Sequence, residues 1–388
     1  MAENKKGFIT LTVVFEAMSL NRDEGMGNIQ TLHLLTRGNG EVYSYMSRQA
    51  LTYAVRKFLI ESEDSDNKWF EALVVKAGSG NKKTDQYLPA LEFFPEIDLF
   101  GYMSTFKGEG ALTRPAPVTF THAISMEPYN GDLAFYANPE MARRANDDPN
   151  PYTRQEHISL YKYSVLIDLS RIGIEENGEE NNGYVKLEFK MSPSDWDRLI
   201  NKYSSQKENT KQKKIEIEFT KEKILVIEKV KERENKKEKE ITCSIIVKKE
   251  VEKEEKIKRI EMLLNGILHL SHQISGSREP LYPLFIAAAH LKYGSPIFHN
   301  YVELKYNKEK KAVINGELFE NGLEHAKKIA KNGNERVIWG MLKGAGALHL
   351  DIEGVETNSA GKPIDVIEKV KNWVCEIYEV NSSVCKDE

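Results

Sequence analysis

The sequence predicts an α+β fold: a ferredoxin-like, RRM-like unit carrying large insertions. Three observations lead there. Phe8 to Leu20 alternates apolar and polar residues with a period of two. Ala50/Leu51, Ala54/Val55 and Phe58/Leu59 then recur every four residues, marking one helical face. The later segments continue the order strand, helix, strand, excursion, helix, strand.

Composition agrees with a folded chain of some size. The 388 residues are 40% hydrophobic and 29% charged, enough apolar material for a core and too much for disorder. The length corresponds to two or three folding units, or one domain with large insertions. No run of about 18 apolar residues predicts a transmembrane helix. Met1 to Lys6 lacks the apolar core of a signal peptide, so a cytoplasmic protein without a membrane partner is expected. Cys243, Cys375 and Cys385 form no Cys-x-x-Cys pair. They read as three reduced thiols, with neither a zinc site nor a disulfide framework. A net charge of −4 excludes a diffuse polycation, so nucleic-acid binding would need a local patch.

In the first strand, Ile9, Leu11, Val13 and Phe15 face one way and Thr10, Thr12 and Glu16 the other, as a half-buried strand requires. A loop with Gly25 and Gly27 follows, then the apolar run Ile29 to Leu35. Gly38-Asn39-Gly40 supplies hairpin chemistry before Glu41 to Tyr45. Ser47 is suited to cap the first helix. Leu73 to Lys76 reads as a strand. Ile97 to Gly131 mixes Gly, Pro and aromatic residues, an elaborated excursion with a strand from Pro117 to Met126. Tyr161 to Leu169 and Tyr184 to Phe189 are further strands.

Charge is concentrated between Lys202 and Lys258, with 17 Lys, one Arg and 13 Glu and no Asp, Gly or Pro. The rest of the chain carries 37 basic against 46 acidic residues. The alternating strands Lys214 to Phe219 and Ile241 to Val247 make this tract a solvated β-ribbon inserted in the fold. A second helix starts in the tract and becomes amphipathic at Ile257, Ile260, Leu263/Leu264 and Ile267/Leu268, ending near Gly276. Strands Phe298 to Tyr306 and Ala312 to Leu318 flank a hairpin at Tyr306-Asn307-Lys308. Arg336 to Met341 is a short strand. A last helix, Ile364 to Tyr378, aligns Ile367, Val370, Val374 and Ile377.

Few motifs carry chemistry. Gly78-Ser79-Gly80-Asn81-Lys82-Lys83-Thr84 lacks the Gly-Lys-Ser/Thr run of a phosphate loop, and Leu88-Pro89 opposes a following helix. It reads as a hairpin tip. His269 and His272 are spaced to share a helical face, but no acid or thiol stands at a supporting spacing. Asp23 and Glu24 could meet a divalent ion beside a phosphodiester, yet no third ligand is visible. No catalytic residue, metal or cofactor is therefore predicted. Arg48 and Gln49 are different. They fall in the first turn of a helix, where unpaired amides and the dipole attract anions. Arg adds bidentate phosphate geometry and Gln a neutral donor. Asn21, Arg22, Asn28 and Gln30 add donors around the Gly-containing loop, a set able to track a nucleic-acid backbone without reading its sequence.

At these residues the chain resembles a family. The alternating strand followed by Asn28-Ile29-Gln30, then Ser47-Arg48-Gln49-Ala50, is similar to DevR-type CRISPR-associated proteins. So are Asp98-Leu99-Phe100-Gly101-Tyr102-Met103, Arg114-Pro115-Ala116-Pro117-Val118 and His122-Ala123-Ile124. The resemblance runs from about Phe8 to Met126 and weakens at Gly276-Ser277-Arg278, where a Gly-Gly pair is expected. It is absent from the Lys/Glu tract. Such proteins are the repeating backbone subunits of type I Cascade, an antiviral complex, and this combination resembles subtype I-B.

The resemblance implies a modified RRM core with a thumb. Residues 1–95 would begin the palm, 96–160 form the thumb-like excursion, 161–250 a strand-rich insertion, and 251–388 the remaining palm. It implies copies stacked head to tail along one CRISPR RNA, presenting it to a target DNA strand, with other Cascade subunits as partners. Ser47, Arg48 and Gln49 would contact phosphate, with Asn28 and Gln30 beside them. Tyr102, Met103 and Arg114 would lie in the thumb, one wedging against a base and Arg114 pairing with phosphate. Arg278 would be a further RNA contact. A non-catalytic scaffold is implied. The alternatives are a metal-dependent endoribonuclease using Asp23, as in type III backbone subunits, and a transcriptional autoregulator. The sequence offers no helix-turn-helix for the latter.

Overall fold

A computed structural model describes residues 6–25, 27–62, 71–77, 84–105, 111–203, 213–220, 223–235, 238–274, 276–308, 311–346, 350–355 and 357–380. The chain falls into two units. Unit 1 is Met1–Glu61, Thr119–Ser170 and Ile260–Glu388, and unit 2 is Ser62–Val118 and Arg171–Arg259. The excursion expected over 96–160 is thus shared between them.

In chain order the elements begin with β1 (Phe8–Met18), β2 (Ile29–Gln30), β3 (Leu34–Thr36), β4 (Val42–Met46) and α1 (Arg48–Glu61). There follow β5 (Val74–Ala77), β6 (Thr84–Tyr87), α2 (Pro95–Phe100), β7 (Tyr102–Thr105), β8 (Ala111–Arg114), β9 (Val118–Phe120) and β10 (Ala123–Ser125). Next are β11 (Leu133–Tyr136), α3 (Pro139–Ala145), β12 (Tyr152–Gln155), β13 (Ile158–Asp168), β14 (Glu180–Asn181), β15 (Tyr184–Met191) and α4 (Pro193–Tyr203). The charged tract holds β16 (Lys214–Thr220), β17 (Lys223–Asn235), β18 (Glu238–Lys248) and the start of α5 (Lys253–Leu268). The remainder is β19 (Ser271–Ile274), β20 (Ser277–Pro280), β21 (Phe285–Leu291), β22 (Leu304–Tyr306), β23 (Ala312–Ile314), α6 (Gly316–Ile329), β24 (Val337–Met341), β25 (Ser359–Gly361) and α7 (Pro363–Tyr378).

Unit 1 is built on a sheet ordered β25-β24-β21-β1-β13-β10-β4-β3, with β9 also pairing β13. β1 lies between β13 and β21, antiparallel to both. Ile9, Leu11, Val13 and Phe15 are buried as expected, but so are Thr10 and Thr12. The strand is therefore covered on both faces rather than half-buried. Its hydroxyls are satisfied inside, Thr10 donating to the Val165 carbonyl at 3.2 Å and Thr12 sharing a 2.7 Å bond with Ser164. β21 escapes the sequence reading because a doubly buried strand is a continuous apolar run without alternation. Beside it, Phe285, Phe298, Phe319 and Trp339 form an aromatic core.

α1 and α7 form where the periodicity places them. α1 buries Leu51, Ala54, Val55 and Leu59. Gly266 of α5 permits close approach there, since a Cβ would sit 2.6 Å from a Leu59 methyl. α5 stops at Leu268, well before Gly276. The chain instead passes through His269 and Leu270 into the β19–β20 hairpin, whose turn holds Gly276 at φ +90°. His269 is thus beyond the helix and His272 lies in a strand, so the two share no helical face. A 3-10 turn at Ile297–Asn300 replaces the first half of the strand expected from Phe298. The strand expected to Leu318 ends at Ile314, because Asn315 caps α6 by accepting the Leu318 amide.

In unit 2 the charged tract is not a solvated ribbon. β16, β17 and β18 join a five-stranded sheet ordered β14-β15-β18-β17-β16. Ile215, Ile217, Leu225, Ile227, Ile241, Cys243, Ile245 and Val247 are buried with Trp196 and Leu199 of α4. Alternation sends every second side chain inward and leaves Lys and Glu on the other face. Burial pushes the Cys243 thiol up to about 12. Cys375 in unit 1 is disulfide-bonded, so the expectation of three reduced thiols fails. β5 and β6 pair antiparallel, while the Gly-rich tip at 78–83 lies outside the described residues.

Candidate nucleic-acid interface

The first turn of α1 is capped from two sides. The Ser47 hydroxyl accepts the Ala50 amide at 3.1 Å, and the Arg48 amide donates to His122 Nδ1 at 3.0 Å. A ring nitrogen that accepts an amide proton leaves the other nitrogen, Nε2, as the N–H donor of the neutral imidazole. The side chains of Arg48 and Gln49 are exposed, and among the described residues neither has a hydrogen-bond partner. His122 packs edge-on against Tyr45, with centroids 5.6 Å apart, and Tyr45 packs against His33 at 5.5 Å. Asn21 Nδ2 bonds His33 Nδ1 at 3.0 Å. Asn21, His33, Tyr45, His122 and Arg48 therefore form one continuous row, although their sequence positions are scattered.

The other loop residues are more committed. Arg22 donates to the Gln155 carbonyl and to Glu156, both at 2.9 Å, and its side chain is only 12% exposed. It is held internally rather than free for phosphate. Gln30 Oε1 accepts from Arg154 Nε at 2.8 Å. Asn28 is exposed, its carbonyl accepting the Thr153 amide. Asp23 and Glu24 are exposed, with Asp23 3.9 Å from His33 Nε2. Among the described residues, no group of three His, Cys, Asp or Glu is placed to hold a metal ion.

Two residues expected at an RNA surface are core residues of unit 2. The Arg114 guanidinium is wholly buried, 2.7 Å from Asp98, and also donates to the Arg171 and Ile174 carbonyls. Asp98 additionally meets Arg259 at 2.8 Å and the Gly173 amide at 2.9 Å. Tyr102 is buried, its hydroxyl donating to Glu175 at 3.0 Å. Burial and that carboxylate push the phenol far above its usual range. Met103, next to it on β7, is 66% exposed and remains available. In unit 1, Arg278 is exposed and donates to Ser271 Oγ at 3.0 Å. It shares a cavity of about 100 Å³ with Lys57, Glu61 and His272.

The sequence reading missed the segment between β10 and β13. β11 and β12 pair antiparallel there, with β2 beside β12. Phe135 is 71% exposed, and Leu133 and Met141 are exposed as well. Tyr136 and Tyr152 stack at 5.4 Å, with the Arg154 guanidinium over both rings. Aromatic residues interleaved with Arg at Phe135-Tyr136 and Tyr152-Thr153-Arg154 were the available signal.

These features define a mixed α/β protein with several sheets and a polar, ring-lined surface in unit 1. The chain belongs to the DevR family, whose model, described as CRISPR-associated negative auto-regulator DevR/Csa2, matches residues 9–311. Among solved structures it is similar to a chain of a "CRISPR RNA-guided surveillance complex", at 11% identity and a TM-score of 0.43, covering 94% of this chain and 98% of that one. A chain of a "CRISPR RNA-guided surveillance complex, pre-nicking" is similar at 10% identity and a TM-score of 0.46, covering 95% and 100%. No curated protein matches the chain.

Proposed function

We propose that this protein is an RNA-holding scaffold of a type I Cascade complex, of subtype I-B, acting in the cytoplasm. Copies stack head to tail along one CRISPR RNA, grip its sugar-phosphate backbone and present its bases to a target DNA strand, without cutting the RNA. Membership of the DevR family supports the CRISPR setting. The observation that carries RNA binding is the pair of side chains, Arg48 and Gln49, without partners among the described residues, at a helix N-terminus beside a row of three rings packed edge-on or tilted.

In this reading the core of unit 1 is a modified RRM. Its βαββαβ order is β1, α1, β10, β13, α5 and β21, and the sheet order β21-β1-β13-β10 supports it. The thumb is then the β11–α3–β12 excursion, and Phe135, Leu133 and Met141 are its apolar wedges. Ser47, Arg48, Gln49, Asn21 and Asn28 face the phosphates, with Met103 and Arg278 as outlying contacts. A head-to-tail contact joins two different surfaces, which suits a chain whose acidic excess lies outside the Lys/Glu tract.

The second reading is an endoribonuclease using Asp23, which is exposed and near His33. The deciding experiment is to sequence the nucleic acid that copurifies with the native protein. Discrete small RNAs sharing a repeat-derived end are expected. RNA of random sequence and length, or none, would reject the scaffold.

A further inference from the structure

We propose that His122 is a further RNA contact, an imidazole with one nitrogen committed to α1 and the other offered to the RNA backbone. The proposal rests on the RNA-holding reading of this surface. His122 opens the segment His122-Ala123-Ile124, which leads into β10 where that strand pairs with β4 and β13. Ala123 lies opposite Met46, the last residue of β4, so one step back His122 reaches the entrance of α1. Strand pairing, and not the helix itself, carries the ring there.

Three observations separate this ring from an ordinary cap. First, α1 is capped without it. The Ser47 hydroxyl accepts the Ala50 amide at 3.1 Å, and the Ser47 carbonyl accepts the Leu51 amide at 2.9 Å. Second, His122 occupies the Arg48 amide as well, at 3.0 Å. Of the amides of Arg48, Gln49 and Ala50, only that of Gln49 has no partner among the described residues. Open backbone N–H groups are what usually hold an anion at a helix N-terminus. With most of them occupied, an RNA phosphate has to be met by side-chain donors. Third, the bond from the Arg48 amide fixes Nδ1 as the acceptor, so the neutral ring carries its proton on Nε2. His122 is exposed, and Nε2 has no partner among the described residues.

His33, two rings along the same row, is the contrast. Its Nδ1 accepts from Asn21 Nδ2 at 3.0 Å, which sets the same tautomer. Its Nε2, however, lies 3.9 Å from Asp23 Oδ1, so its N–H faces a carboxylate that repels phosphate. Among the described residues, no carboxylate lies within ion-pair distance of His122. Tyr45 meets its ring edge-on, with centroids 5.6 Å apart, and Arg48 supplies the nearest charge. Nδ1 and Nε2 flank Cε1, so the free donor is turned away from α1. It suits a backbone oxygen beside the one that Arg48 and Gln49 reach. An N–H given to a phosphate oxygen carries no base information, which agrees with a grip that does not read sequence.

The test uses the full chain, freed of RNA, and single-stranded RNAs of unrelated sequence and equal length. It is run at about pH 8, where an ordinary imidazole is neutral. Asparagine places an acceptor where Nδ1 stands, and glutamine places an N–H where Nε2 stands. His122→Asn should keep the melting temperature and weaken RNA binding about tenfold, the worth of one hydrogen bond to a charged group. The salt slope of binding should not change, because a neutral donor releases no counterion. His122→Gln should lower the melting temperature slightly, yet bind RNA more tightly than His122→Asn. If His122→Asn binds like the parent, or His122→Gln binds no better than His122→Asn, the contact is overturned and His122 is a cap alone. Arg48→Ala, measured in parallel, separates the two readings. If it weakens binding and reduces the salt slope by about 0.7, the share of one phosphate on a single strand, while His122→Asn has no effect, this contact alone falls. If the parent chain binds no RNA, the scaffold reading falls and the contact with it.

Discussion

Arg48 opens α1 in unit 1 with its guanidinium in solvent, whereas Arg114 closes β8 in unit 2 with its guanidinium wholly buried. Both stand in segments that resemble the same family, and both are expected at an RNA surface. The difference lies in the acceptors gathered around them. Asp98 and the carbonyls of Arg171 and Ile174 close on Arg114, and Arg259 shares the same carboxylate. Among the described residues nothing comparable surrounds Arg48, whose local partner, His122, binds its backbone instead. An arginine with all its donors used inside is structural. One whose donors are left open at a helix N-terminus is available to a ligand.

Removing Asp98 should break this contrast most severely. Asp98→Ala removes the carboxylate that two buried guanidinium groups share, leaving Arg259 only Glu255 at 2.9 Å and Arg114 only Glu176 at 3.7 Å, so about 3–5 kcal/mol of stability should be lost. Denaturant unfolding of the full chain measures it. A loss below about 1 kcal/mol would mean that water reaches the network. Arg48→Ala should do the reverse. RNA affinity falls about 10- to 150-fold, the loss of a charged hydrogen bond, with no change in melting temperature. In the parent protein, affinity should also drop steeply with salt and vary little between unrelated RNAs of equal length. A marked fall in melting temperature would place Arg48 with Arg114 as a core group.

A smaller effect sharpens the unit 1 side. Burial pushes the imidazoles of His290 and His299 down to about 4. Unfolded histidine titrates near ~6.5, so the unfolded chain binds more protons between these values. Their contribution is present above about pH 6.5 and lost as pH falls through about 4. Melting temperature followed over that window should decline, and His299→Asn should flatten the decline. An unchanged slope in the variant would assign the acid sensitivity to carboxylates. The smallest expected effect is that of Asp23→Ala. Guide-loaded assemblies given complementary labelled RNA with magnesium or manganese should show no cuts before or after the change. Regularly spaced cuts that vanish in the variant would make the protein an endoribonuclease.

Local rules made much of unit 1 legible. The period of two in Phe8–Phe15, the Ser47 cap, the repeating face of α1 and the Gly38-Asn39-Gly40 turn depend on neighbours within a few residues. The order of such motifs also sufficed for the family, which needs no contact map. The fate of each polar group was decided elsewhere. Thr10 and Thr12 are buried because a second layer covers the other face of β1. Arg114 is buried because segments 57 and 60 residues away bring carbonyls to it. His269 and His272 part because the helix ends at Leu268 and His272 pairs with Glu279 in the β19–β20 hairpin. The row from Asn21 to Arg48 joins residues from distant strands. Periodicity reports which face a side chain takes, but only the folded chain determines what meets it there, because hydrogen bonds and ion pairs act over a few ångströms in space whatever their separation in sequence.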